Sequence, residues 1–220
     1  LIPTPPGKIT SGTVEFEGTD LLQYRKQSRE MCQIRGSKIA MIFQEPMTSL
    51  NPSMTIGRQL TEALFLHMDI SKSEAKERAV DMLGQVGIPD PEKRFDDYPH
   101  QMSGGMRQRI MIGMALLCDP KMLIADEATT ALDATIQAQL LELMLEMVTR
   151  RKTALIMVTH NLGIVARYAQ RINVMYAGRI IESGTVKEIW ANPMHPYTEG
   201  LLSCIPVLGK KIEPIAGMPP

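Results

Sequence analysis

The sequence predicts an α/β domain, a mostly parallel sheet interrupted by a helical insert, and three observations carry that expectation. Short apolar runs at 39–43, 122–125 and 154–158 have the length and composition of strands buried on both faces of a parallel sheet. Between the first two runs, residues 53–98 repeat apolar residues at helical spacing. Each run ends in a polar or titratable group: Gln44, then Asp126-Glu127, then Thr159-His160. Ligands of open α/β sheets sit beyond such carboxyl ends.

Composition narrows the class. The 220 residues are 44% hydrophobic and 22% charged, enough for one sizeable core. Lys plus Arg and Asp plus Glu both number 24, so the formal net charge is zero and a general nucleic-acid footprint is not expected. Cys32, Cys118 and Cys204 are far apart with no CxxC pair, which fits reduced thiols rather than a disulfide frame or a metal cluster. No apolar run approaches the ~18 residues of a membrane span, and the N-terminus has no signal-peptide pattern.

Residues 1–7 are Pro-rich and read as a linker. Residues 14–18 alternate and then turn at Gly18, a half-exposed strand. Residues 28–34 read as a short helix closed by Gly36. The run at 39–43 ends at Gln44, and turn formers fill 45–52. That segment is either a ligand sensor or a plain connection. Ile56, Leu60 and Leu64, with Ala63, form one apolar helical stripe. Ser71 and Glu74 have capping-box spacing ahead of a second stripe, Ala75, Ala79, Met82, Leu83 and Val86. Gly87 stops that helix, and Pro89, Pro91 and Pro99 punctuate the segment after it.

Ser103 is a good N-cap for the apolar run at 110–118, and Gly104 and Gly105 would expose backbone N–H groups there. With the helix dipole these donors suit a phosphate, and Arg107 and Arg109 lie beside them. The alternative is a well-capped helix whose glycines serve close packing. Residues 122–127 then lead into two adjacent carboxylates, which can hold a hydrated Mg²⁺ and polarise a water, or merely end a strand at solvent. Asp133 caps a helix with Ile136, Leu140, Met144 and Met147 on one face, closed by Arg150, Arg151 and Lys152. After the strand at 154–158, His160 is the second titratable strand end and Asn161 begins a short helix. Segments 172–176 and 179–182 pair around Ala177-Gly178 as a hairpin. Residues 193–220 are rich in Pro and Gly and show little periodicity, as a surface extension would.

Together these segments resemble the ATP-binding subunits of ABC transporters, with five motifs in family order over nearly the whole chain. Gln44 matches the Q-loop, residues 102–106 (Met-Ser-Gly-Gly-Met) the signature motif, and 122–127 the Walker B strand. Ala131-Leu132-Asp133 matches the D-loop and His160 the switch histidine. Residues 43–52, 103–109 and His195-Pro196-Tyr197-Thr198 are similar to the dipeptide, oligopeptide and nickel importer group. The resemblance implies a P-loop NTPase-like (RecA-like) core lacking its N-terminal part. Its domains would be a partial core at 1–44, a helical subdomain at 45–118, the rest of the core at 119–190 and an extension at 191–220.

It also implies roles. ATP and Mg²⁺ would be the cofactors. Asp126 and Gln44 would hold the metal, Glu127 would polarise the attacking water, and His160 would contact the γ-phosphate. Ser103, Gly104 and Gly105 would grip the γ-phosphate of a second, head-to-tail subunit, and Asp133 would cross that interface. The partners implied are that second ATPase subunit, as homo- or heterodimer, a transmembrane permease on whose cytoplasmic face the subunit would sit, and indirectly a solute-binding protein. Nucleic acid is not among them.

Two departures stand out. No G-x-x-x-x-G-K-[ST] run exists: Gly7-Lys8 is followed by Ile9 and Gly209-Lys210 by Lys211. With Leu1 in place of an initiator Met, the expectation is a fragment whose Walker A lies upstream, with little ATPase activity of its own. Ala128 stands where the family usually has Pro, so the loop after Glu127 is expected to be slightly looser. A truncated, catalytically incompetent interaction module is the alternative function. A soluble ABC ATPase of DNA repair or translation fits less well, lacking a long coiled coil.

Overall fold

The computed structural model describes residues 7–43, 50–128 and 134–205, and the chain divides into two compact units, Leu1–Val158 and Thr159–Pro220. The first unit carries the parallel sheet. Strands β3 (Ile39–Ile42), β4 (Met122–Asp126) and β5 (Ala154–Val158) lie in the order β3-β4-β5, all parallel. Register pairs Ile42 with Ala125 and Asp126 with Val158, so the strands end together. Ahead of them, β1 (Glu15–Phe16) and β2 (Thr19–Asp20) form a small antiparallel ribbon. Its turn has Glu17 at φ 49° and Gly18 at φ 76°, the left-handed pair that a two-residue hairpin requires. Ser28 accepts the Met31 N–H to cap α1 (Arg29–Ile34).

The helical insert is built on its apolar stripes. Helices α2 (Ile56–His67), α3 (Lys72–Gln85), α4 (Pro91–Phe95) and α5 (Gly104–Leu116) connect β3 to β4. Ile56, Leu60, Leu64, Ala75, Ala79, Leu83 and Val86 are fully buried, as their spacing requires, whereas Ala63 is half-buried. Burying each Leu stabilises the fold by roughly 1.5–3 kcal/mol. The Ser71–Glu74 capping box is complete, and Gly87, at φ 74°, ends α3. Helix α6 (Ala134–Arg151) returns with Leu140, Met144 and Met147 buried, while Ile136 is half-buried.

The strands differ from expectation in one respect. They alternate instead of being buried on both faces. Ala40, Ile42, Leu123 and Ala125 are buried, while Ile39, Met41, Met122 and Ile124 are half-buried. Strand β5 is more open still, with Ile156 and Val158 exposed. It is an edge of the described sheet, and its apolar run of five reads the same whether or not a neighbour lies beside it.

The second unit holds α7 (Leu162–Tyr168), the hairpin β6 (Arg171–Tyr176) and β7 (Arg179–Thr185), and helices α8 (Val186–Ala191) and α9 (Pro196–Ser203). Ala177 and Gly178, at φ 47° and 75°, form the expected turn. The extension is less irregular than expected. His195 Nδ1 accepts the Tyr197 N–H, Pro196 occupies the first helical position, and Thr198 is buried in α9. The Glu182 carboxylate accepts the N–H groups of Met194 and His195 at 2.7 and 3.1 Å, and the rings of Tyr176 and Tyr197 lie 4.7 Å apart. A short helix held by contacts from a preceding strand leaves little trace in local periodicity.

Candidate functional site

The acidic pair stands at the carboxyl end of the middle strand of the described sheet. Asp126 is the last residue of β4, half-buried and in register with Val158. Glu127 is left-handed at φ 46°, and its N–H still donates to the Val158 carbonyl at 2.9 Å. A left-handed non-glycine residue costs on the order of 1–3 kcal/mol and persists only where its surroundings fix it. The conformation turns the chain out of the sheet one residue after Asp126. The acidic pair thus sits where the chain leaves the sheet, at the end of one strand.

Ser103 is exposed and caps α5, its hydroxyl oxygen accepting the Met106 N–H at 3.3 Å. That bond uses an oxygen lone pair, so the hydroxyl proton is left to donate. The N–H groups of Gly104 and Gly105 belong to the first helical turn, which has no carbonyl partner within the helix. A Cβ built on Gly105 would meet nothing within 4 Å, so close packing does not explain that glycine. The same cannot be said of Gly113 farther along α5, where a Cβ would press on Met82 and Val86.

The two arginines beside the turn part company. Arg109, expected near an anion, instead donates to the Val86 carbonyl at 3.1 Å, where it satisfies the end of α3. Its cation is committed to the helical insert, a contact 23 residues away that sequence spacing does not reveal. Arg107 keeps a buried Nε without a hydrogen-bond partner among the described residues.

His160 falls in the second unit, in the turn before α7. The turn is fixed on both sides of it: Asn161 N–H donates to Thr159 Oγ1, and Asn161 Oδ1 accepts from Gly163 and Ile164. Gln44 and Asp133 lie outside the described residues.

Among the described residues no group of three or more His, Cys, Asp or Glu is placed to hold a metal. Mg²⁺ asks for less: one or two carboxylates, with phosphate oxygens and waters completing the octahedron. Asp126 and Glu127 supply the hard oxygens, so the residues fit that ion. Local pattern did not reveal Asp119, which joins Arg78 and Arg151 just past the end of α5.

Residues 4–130 match the family model described as ABC transporter, and residues 181–220 match the one described as oligopeptide/dipeptide transporter, C-terminal region. The chain is 55% identical to the oligopeptide transport ATP-binding protein OppD of Bacillus subtilis, over all of this chain and 62% of that protein. It is 52% identical to the dipeptide transport ATP-binding protein DppD of the same species (100% and 66% covered) and 50% identical to DppD of Escherichia coli (97% and 65%). The chain thus spans about two thirds or less of these relatives. Among solved structures, cbiO1 of Clostridium perfringens, part of the transporter complex cbiONQ, aligns with a TM-score of 0.70 at 28% identity, covering 83% of this chain and 69% of that one. A dimeric bacterial ABC transporter cassette, MJ0796, aligns at 0.69 and 26%, covering 82% and 76%.

Proposed function

We propose that this chain, which belongs to the ABC transporter family, is the catalytic part of an ATP-binding subunit that energises peptide uptake. The observation that carries the reading is the strand end at 126–127, where Asp126 closes a parallel strand and Glu127 is held left-handed by the Val158 carbonyl. Peptide as the cargo class is supported by the C-terminal match at 181–220 and by the names of the relatives.

In this reading Asp126 would hold Mg²⁺ through water, and Gln44 would touch the ion or its water. The ion, when bound, neutralises charge on the β- and γ-phosphates. Glu127 accepts a hydrogen bond from the attacking water and orients it, and His160 donates to the γ-phosphate. Ser103 Oγ and the N–H groups of Gly104 and Gly105 bind the γ-phosphate of ATP carried by a partner subunit, with Asp133 at that interface. Residues 45–118 act as the helical subdomain between core segments 1–44 and 119–190, with 191–220 as an extension. The partners are a second ATPase subunit, same or different, and a permease that receives solute from a binding protein. The subunit would lie peripherally on the cytoplasmic face of the membrane; no helix among the described residues is long and apolar enough to cross one.

The test is Glu127→Gln in the full-length protein. Turnover should nearly stop while ATP stays bound, because the amide keeps the shape but cannot polarise water; normal turnover would refute the role. The 220 residues by themselves should hydrolyse little ATP, for they contain no G-x-x-x-x-G-K-[ST] cradle. An interaction module without catalysis would leave Glu127→Gln silent even with a full-length partner present.

A further inference from the structure

The base of the signature helix is tied to two other helices through one side chain. Helix α5 ends at Leu116, and the carbonyl of its cap residue Leu117 accepts Arg78 Nε at 3.1 Å. Arg78 belongs to α3, and its Nη2 also reaches Asp119 Oδ2. The other oxygen of the same carboxylate, Oδ1, accepts Arg151 Nε at 3.2 Å from the last residue of α6. Arg151 Nη2 then donates to Gln85 Oε1 at 2.6 Å, back on α3. The ring closes on itself: insert helix, signature helix, core helix, insert helix. Asp119 is left-handed at φ 49°, and the next residue's carbonyl accepts Thr153 Oγ1 at 2.8 Å, next to the start of β5.

We infer that Asp119 is a positioning residue: it fixes the tilt of α5, and so the place of Ser103, Gly104 and Gly105, relative to the acidic strand end. This rests on the proposed function of those residues. The lever is long. Ser103 stands 14 residues before Leu117, about 21 Å along the axis at 1.5 Å per residue. A tilt of about 5° at the base would move the first turn by roughly 2 Å, and misplacements of about 1 Å in a reacting site can cost about 10²-fold in rate. As a stabilising contact the cluster is weak, because the Asp119 side chain is 57% exposed. Its geometry carries the inference: one carboxylate with an oxygen for each of two cations, each cation making a second bond to a different element. A merely solvated surface pair has no need of that closure.

The experiment compares Asp119→Ala and Asp119→Asn in the full-length protein by three readouts: thermal midpoint, steady-state ATPase, and amide hydrogen exchange across residues 103–107. The expected result is a kcat about tenfold lower for Asp119→Ala with KM for ATP little changed, faster exchange in 103–107, and Asp119→Asn in between, since one acceptor remains. The thermal midpoint should move little. Wild-type kcat and wild-type exchange in a folded Asp119→Ala protein would overturn the inference, as would a change confined to the thermal midpoint. Should the alanine variant not fold, the asparagine variant decides by the same two outcomes. If the unmutated protein showed no ATPase, the proposed function would fail instead, and exchange at 103–107 would still test the tie.

Discussion

Gly105→Ala separates the two readings of the signature turn with a sign. If the glycine serves packing, alanine must destabilise. The structure argues otherwise: a Cβ at Gly105 meets open space within 4 Å, and the position lies in the first turn of α5 with an ordinary helical backbone. Alanine gains up to about 1 kcal/mol over glycine inside a helix. Position 105 is only the second helical residue, where fewer backbone bonds depend on it, so we take about half of that, ~0.5 kcal/mol. For a chain of this size about 1 kcal/mol moves the midpoint by roughly 2–4 °C, so the variant should melt about 1–2 °C higher. ATPase of the assembled protein should fall, because the methyl group fills the space a phosphate would enter. The assay is thermal denaturation without nucleotide, paired with turnover at saturating ATP. Gly57→Ala is the control, since a Cβ there would overlap the Phe95 ring, and overpacking of that kind costs roughly 1–3 kcal/mol. A destabilised Gly105→Ala protein, or a stabilised one with full turnover, would refute the phosphate reading of this glycine.

Caps and carboxylates away from the turn give further tests. Ser71→Ala removes the hydroxyl half of the α3 capping box, the acceptor of the Glu74 N–H, and should cost about 1 kcal/mol, seen as a lower denaturation midpoint with unchanged m-value. The Glu74 carboxyl is held below its ordinary 4.5 by the Ser71 hydroxyl and then by the Ser71 N–H, and Glu182 by the N–H groups of Met194 and then His195. Both are depressed in the folded state, so their stabilisation is complete above pH 4.5 and is lost as pH falls through the lower folded values. Acid titration of Glu182→Gln should therefore lose part of the wild-type decline below pH 4.5; an identical slope would count against this cause.

Much of the site was legible because its signals are local. An N-cap with glycines behind it at 103–105, and an apolar strand ending in acids at 126–127, are written within a few consecutive residues. The capping box at Ser71 and the Ala177-Gly178 turn were legible for the same reason: each is a bond or a φ preference spanning at most three residues. What the sequence by itself determined is this local grammar, namely which segments are helices and strands and where they start. Only the tertiary structure decided the rest. It made Glu127 left-handed by pairing its N–H with Val158, drew Arg109 to the end of α3, and joined Arg78 of α3 to Arg151 of α6 through Asp119. It also left β5 open where its composition reads as buried. The physical reason is common to all four. A side chain's partner, and whether a strand is covered, depend on which distant segments meet, and no periodicity of a few residues encodes a contact made dozens of residues away.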